Sequence, residues 1–173
     1  MRRFLGAVTA LVMTSGAVVP AVIPAAAAGT PRAPEEPARA PLQTSFEIRS
    51  QVNDNCLDVA DANPEAGAAV HMWTCNGGAN QHWHWVGDQI RSDLNEKCLD
   101  LAGANPYDLA TVELWDCSFQ NNQRFGWDGT FFTTKADDRS LYMGNIGLGS
   151  PVLAMFPSSR WNQRYARWTL RPV

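Results

Sequence analysis

Lysine is scarce in this chain. Only 2 of its 14 basic residues are lysine, 17 acidic residues outnumber them, and the formal charge over 173 residues is −3. A surface without basic excess cannot neutralise a phosphate backbone, which argues against nucleic acid as a partner. Charged residues of all kinds make up only 18%, against 45% hydrophobic, so wholesale disorder is excluded. Four cysteines are too few for a knottin-like scaffold, and no Cys-x-x-Cys pair occurs to support zinc. His82 and His84 fall on one side of a strand but have no third ligand in view, so neither metal nor cofactor is expected. No nucleophile elbow and no Ser/His/Asp order is present, and a separate catalytic domain is not expected. An enzyme is not expected.

Long apolar runs are also missing after the first residues. Met1-Arg2-Arg3 is followed by an uncharged apolar stretch from Phe4 to Val19, and Ala26-x-Ala28 offers a small-residue cleavage site before Gly29. Pro20 and Pro24 cut the run below the length of a spanning helix. Residues 1–28 therefore read as a secretory signal peptide, and the mature chain is expected outside the cell without a transmembrane span. Arg2-Arg3 leaves twin-arginine export open beside the general route. Residues 29–45 carry Pro31, Pro34, Pro37 and Pro41 between charged residues, the composition of an extended linker.

What is present is repetition, rich in aromatics: seven Trp, seven Phe and three Tyr. Phe46-Glu47-Ile48-Arg49-Ser50 recurs as Asp88-Gln89-Ile90-Arg91-Ser92, an offset of 42. At the same offset Cys56-Leu57-Asp58-Val59-Ala60 matches Cys98-Leu99-Asp100-Leu101-Ala102, and Val70-x-x-Trp73-x-Cys75 matches Val112-x-x-Trp115-x-Cys117. Asn80-Gln81-x-Trp83 matches Asn122-Gln123-x-Phe125. A third, fainter copy places Phe132 with Ile90 and Ser140-Leu141 with Cys98-Leu99. It closes on Asn162-Gln163-x-Tyr165, with both cysteines gone and Tyr142 in the aspartate's place.

Each unit reads as short strands separated by Asn-Pro, Asn-Gly-Gly and Asp-Gly turns. A period near 42 also suits a propeller blade, but propellers need about four blades or more and here there are three. The 128 residues from Phe46 to Val173 thus predict an all-β, β-trefoil fold with pseudo-threefold symmetry, its repeats spanning about 46–87, 88–128 and 129–173. Cys56 to Cys75 and Cys98 to Cys117 are both separations of 19. Equivalent positions in equivalent units predict the disulfides Cys56–Cys75 and Cys98–Cys117, each contributing about 3 kcal/mol by loop-closure entropy. Trp83, Phe125 and Tyr165 are expected in the core.

Three Gln-x-aromatic motifs about 40 residues apart, two of them closing units that open on Cys-Leu-Asp, resemble the ricin-type β-trefoil lectins over essentially all of residues 46–173. The resemblance implies a carbohydrate-binding protein with one shallow, metal-free sugar site available per repeat. It implies that Asp58 and Asp100 accept hydrogen bonds from vicinal sugar hydroxyls and that Trp73 and Trp115 stack on the pyranose. Asn80 and Asn122 would donate to the sugar, while Gln81 and Gln123 orient the aspartates from behind. An aromatic face matches the C–H face of a sugar, and a carboxylate makes strong charge-assisted bonds to its hydroxyl rim. Such sites are weak singly, on the order of millimolar, and gain from multivalency.

The chain departs from the family pattern where a glutamine is usual two residues before the stacking aromatic. Repeat one has His71 there and repeat two has Glu113, which opens the question of the sugar's identity. In repeat three Tyr142 replaces the aspartate, Leu153 or Ala154 the polar residue and Phe156 the tryptophan, so no sugar site is expected. Turn capping by Asp58 and Asp100, and plain packing by Trp73 and Trp115, are the structural alternatives. A glycosidase needs two carboxylates across one bond, whereas equivalent positions in separate repeats lie apart.

Charge is uneven along the trefoil. Phe46 to Gly129 holds 4 basic and 13 acidic residues, a net −9, and Thr130 to Val173 holds 6 and 2, a net +4. Arg160, Arg164, Arg167 and Arg171 crowd repeat three. A protein partner through that repeat, as in a protease inhibitor or an assembly or toxin subunit, is the alternative to a lectin.

Overall fold

The computed structural model describes residues 44–157 and 162–173. The expected signal peptide, nearly all of the proline-rich stretch, and Arg160 lie outside the described residues. Twelve strands run in order, four to a repeat, and no α-helix occurs among the described residues. Repeat one holds β1 (Phe46–Ser50), β2 (Cys56–Val59), β3 (Ala68–Trp73) and β4 (His82–Val86). Repeat two holds β5 (Gln89–Ser92), β6 (Cys98–Leu101), β7 (Ala110–Trp115) and β8 (Phe125–Trp127). Repeat three holds β9 (Phe132–Thr134), β10 (Ser140–Met143), β11 (Ser150–Met155) and β12 (Trp168–Pro172).

The first and last strands of each repeat form the barrel. β12 pairs with β1, β4 with β5 and β8 with β9, all antiparallel. The threefold relation shows in single hydrogen bonds: Asp93 N–H to the His82 carbonyl, Lys135 to Arg124 and Gln51 to Arg167 occupy equivalent places. The middle strands of each repeat form hairpins, β2–β3, β6–β7 and β10–β11. These hairpins pair with one another, β3 with β7, β7 with β11 and β11 with β3, and so make a triangular cap. Closure of this kind leaves few open edges.

Alternation along β3 and β7 sorts the side chains. Ala68, Val70 and Met72 are buried, as are Ala110, Val112 and Leu114, while Trp73 and Trp115 face out. The inward residues join Ile48, Leu57, Trp83, Ile90, Leu99, Phe125, Phe132, Leu141 and Trp168 in one core. Both disulfides are present, Cys56–Cys75 and Cys98–Cys117. Each ties the first residue of a hairpin's first strand to the chain just past its second.

Two expectations for repeat three are corrected. Its core aromatic is Trp168, not Tyr165, which is only half-buried. Trp168 pairs with Ser50 as Trp83 pairs with the equivalent Ser92. Its indole N–H donates to the Leu141 carbonyl at 3.0 Å, just as Trp83 donates to Leu57 at 3.1 Å. The Asn162-Gln163-x-Tyr165 match is therefore three residues out of register. The residue equivalent to Trp73 is likewise Met155, not Phe156. Met155 pairs with Ser140 as Trp73 pairs with Cys56, and Leu153, rather than Ala154, stands opposite Tyr142.

Candidate functional site

In repeat one the pairing of β2 with β3 sets Asp58 opposite His71. Asp58 is buried, and its carboxylate accepts from three side chains. Gln81 Nε2 donates to Oδ2 at 2.6 Å, Asn80 Nδ2 to the same oxygen at 2.8 Å, and His71 Nε2 lies 3.2 Å from Oδ1. An ionised carboxylate only accepts, so the His71 nitrogen facing it carries its proton there. Gln81 is fixed in turn: its amide also donates to the Thr74 carbonyl at 2.9 Å and its oxygen accepts from Asn76 N–H at 2.7 Å. Burial raises the Asp58 carboxyl above its usual range, and the Gln81 bond and the neighbouring His71 oppose that rise. The ring of His71 stacks on Trp73 with centroids 5.4 Å apart and planes 10° from parallel. Trp73 keeps 40% of its surface exposed. Both rings line a hollow of ≈370 Å³ together with Asp58, Asn80, Asp61, Ala62 and Asn76.

Repeat two reproduces the frame. Gln123 Nε2 donates to Asp100 Oδ2 at 2.6 Å, and Asn122 Nδ2 reaches both carboxylate oxygens at 3.0 and 2.9 Å. Gln123 is held by the Asp116 carbonyl and the Ser118 N–H, at 2.9 and 2.6 Å. Glu113 stands opposite Asp100 in the β6–β7 pair, where His71 stands in repeat one. Burial raises both carboxyls; the Asp100 charge raises Glu113 further, and bonds from Gln123 and Asn122 partly restrain Asp100. Trp115, 45% exposed, walls a hollow of ≈620 Å³ that Gly103, Ala104 and Asp116 also line.

All ten residues singled out in the sequence thus fall into two equivalent clusters: Asp58, His71, Trp73, Asn80 and Gln81, and Asp100, Glu113, Trp115, Asn122 and Gln123. The turn-capping alternative does not describe the aspartates, whose carboxylates are held by side-chain amides rather than by local N–H groups.

Two supporting positions escaped the sequence reading. Gly67, at φ 87°, passes beneath Trp115, and a Cβ there would lie 3.4 Å from the indole. Gly149, at φ 74°, does the same beneath Trp73 at 3.9 Å. Each of these two exposed tryptophans therefore rests on a turn from another repeat. The signal in the sequence is a glycine just before β3 and β11, set against Leu109 just before β7.

In repeat three the five positions become Tyr142, Leu153, Met155, Tyr165 and Ala166. Tyr142, Met155 and Ala166 are buried together, with Leu153, Tyr165 and Phe131 packed on them. Burial, and then the charge of Asp108, raises the Tyr142 phenol. The site is filled with apolar side chains. Glu47, Cys56 and Cys75 bring potential ligand atoms close together. The two sulfurs form a disulfide and Glu47 is engaged by Arg49 at 2.6 Å, which leaves no thiolate for a metal.

A six-stranded barrel closed by a cap of three hairpins, carrying two repeated Asp–Trp–Asn–Gln clusters, defines a β-trefoil of the lectin class. Residues 44–168 match the family described as the ricin-type beta-trefoil lectin domain, and the chain belongs to that family. No curated protein matches the chain by sequence. Among solved structures it is similar to a designed threefold-symmetric protein, ThreeFoil, at TM-score 0.67 and 23% identity, covering 75% of this chain and 99% of that one. It is similar to the C-half of an earthworm R-type lectin in complex with GalNAc, at TM-score 0.65 and 19% identity, covering 75% and 99%. The trefoil lectin of a Vibrio vulnificus hemolysin, with N-acetyl-D-lactosamine bound, gives 0.60 and 23%, covering 76% and 96%. These likenesses establish the fold.

Proposed function

We propose that this protein is a secreted, non-catalytic lectin that binds pyranose sugars through repeats one and two. The observation that carries the reading is the duplicated cluster. In each, a buried aspartate is aimed by a glutamine that is itself held at both ends, beside a half-exposed tryptophan and an asparagine. A core needs no half-exposed indole, and a buried carboxylate raised by desolvation gains from any hydroxyl that donates to it. Two of the similar structures carry a bound sugar, in line with this reading.

A glycan array probed with the purified protein tests the proposal, beside Trp73→Ala and Trp115→Ala singly and together. Both indoles are substantially exposed, so truncation leaves the core intact. Glycan retention by the wild type that falls in each single variant and vanishes in the double is expected. Retention indifferent to both changes would overturn the assignment of the sites.

A second reading, a protein-contact surface on repeat three, draws on its net positive charge and on guanidinium–aromatic contacts there. Arg164 lies over Tyr165 at 4.8 Å, and Arg167 over Phe131 at 5.7 Å. Retention on an acidic protein surface should weaken steeply with salt; retention insensitive to salt removes this reading.

A further inference from the structure

Repeats one and two differ most at one place. Opposite Asp58 stands His71, an imidazole that hydrogen-bonds the carboxylate and can balance its charge. Opposite Asp100 stands Glu113, a second carboxylate on the adjacent strand. Like charges directly opposed across an antiparallel pair are destabilising, and among the described residues no basic side chain forms an ion pair with either one. Lys97, close in sequence, is engaged by Asp116. Asp100 is held by two amides, which orient its carboxylate without neutralising it. Both line the hollow that the Trp115 indole walls. An aromatic face attracts a cation as well as a sugar's C–H face.

We infer that the hollow of repeat two selects a pyranose carrying a free ammonium, as in a de-N-acetylated amino sugar, with Asp100 and Glu113 together receiving the ammonium and hydroxyl donors. The inference rests on the sugar-binding reading above. The positive charge that repeat one carries in its own chain, on His71 when protonated, is supplied to repeat two by the ligand. An N-acetylated sugar brings no such charge and sets an apolar methyl group against two carboxylates. It is disfavoured for the same reason that a buried charge without a partner is costly.

The test is titration calorimetry at pH 6 and low salt on the Trp73→Ala protein, which leaves repeat two as the remaining cluster. The ligands are a glucosamine oligomer and an N-acetylglucosamine oligomer of equal length. A preference of about tenfold or more for the free amine is expected, equal to about 1.4 kcal/mol. Glu113→Gln, close in shape, should bring the two affinities together while sugar binding persists, and Trp115→Ala should abolish both. Equal affinity for the two oligomers in the parent protein, or a preference unmoved by Glu113→Gln, overturns the inference and leaves the lectin reading standing. If neither the wild type nor any variant binds a glycan on the array, the lectin reading falls and this inference falls with it. Thermal unfolding of each variant separates a lost site from a lost fold.

Discussion

Repeats one and two devote five positions to a polar, open cluster, and repeat three fills the same five with Tyr142, Leu153, Met155, Tyr165 and Ala166. The barrel does not register the difference: β9 and β12 pair as their counterparts do. Sites on this fold are therefore independent of the frame that carries them. Whether a hollow forms depends on side chains of the cap and of the short turn before the last strand, and a repeat can lose its site without losing its place. The consequences reach across repeats. Where the neighbouring repeat presents an exposed tryptophan, the turn beneath it has glycine, Gly67 under Trp115 and Gly149 under Trp73. Leu109, whose backbone N–H meets β11 of repeat three where Met155 replaces the tryptophan, has no indole to clear and takes the equivalent place at φ 67°.

The largest expected effect concerns what the three repeats share. Trp83 and Trp168 are fully buried and donate to equivalent carbonyls. Trp83→Ala and Trp168→Ala should each cost about 3–5 kcal/mol in denaturant unfolding. Tyr165→Ala, at the surface of the repeat-three cluster, should cost clearly less. A reversal of that order would restore Tyr165 as the core aromatic and undo the register that pairs Trp168 with Ser50. Next comes what repeat three lacks. Replacing Cys98 and Cys117 together by serine should cost about 3 kcal/mol, as should replacing Cys56 and Cys75, by loop-closure entropy. Equal losses from the two pairs would support their equivalence; a much smaller loss for one would show the repeats to be held differently.

Much of the fold and of the two clusters was legible in the sequence. The resemblance to the ricin-type lectins singled out the ten clustered residues. Spacing carried the fold and the two disulfides, because repeats one and two keep one offset of 42 throughout. Repeat three breaks that rule in compensating steps. From β6 to β10 the offset is 42, from β7 to β11 it is 40, and from Phe125 to Trp168 it is 43. Letters alone favoured Asn162-Gln163-x-Tyr165, since it copies the motif, yet in the folded chain Ala166 sits where Gln81 does. The glutamine is needed only where there is an aspartate to hold, so without one the motif ceases to mark the register. Pairing to Ser50, a backbone matter, decides it. The support of each indole by another repeat's turn was invisible for a different reason: it depends on how hairpins meet in the cap, not on local pattern.

A smaller effect bears on Leu109. A leucine at positive φ carries a steric penalty that glycine does not. Leu109→Gly should therefore stabilise the protein or leave it unchanged, the relief of about 1 kcal/mol being partly offset by greater freedom of the unfolded chain. Gly67→Leu and Gly149→Leu should destabilise by more than that, since each adds a side chain beneath an indole as well as strain. Destabilisation by Leu109→Gly equal to that of the two reverse changes would mean that the turns are not equivalent.

The last prediction separates repeat two from repeat one by pH. A carboxyl whose folded-state pKa lies above its unfolded value binds protons more readily when folded, so its contribution to stability falls as pH rises through that interval. Asp100 and Glu113 are both raised above the ordinary carboxyl range by burial and, for Glu113, by the charge of Asp100. Glu113→Gln removes one of the two titrations and the repulsion between the pair. The difference in melting temperature between this variant and the wild type should thus grow in the variant's favour from about pH 4, near the ordinary carboxyl value, upward. It should flatten once both carboxyls are ionised in the folded state. Other carboxylates titrate over the same range but are common to both proteins and cancel in the difference. In repeat one the partner of Asp58 is an imidazole, so His71→Gln should not yield a stabilisation that grows with pH in that way, because it removes a hydrogen bond to the carboxylate instead of a repulsion. A gap between Glu113→Gln and wild type that stays constant from about pH 4 to neutrality would mean that the two carboxylates of repeat two do not sense each other. The contrast between the two open sites would then rest on shape alone.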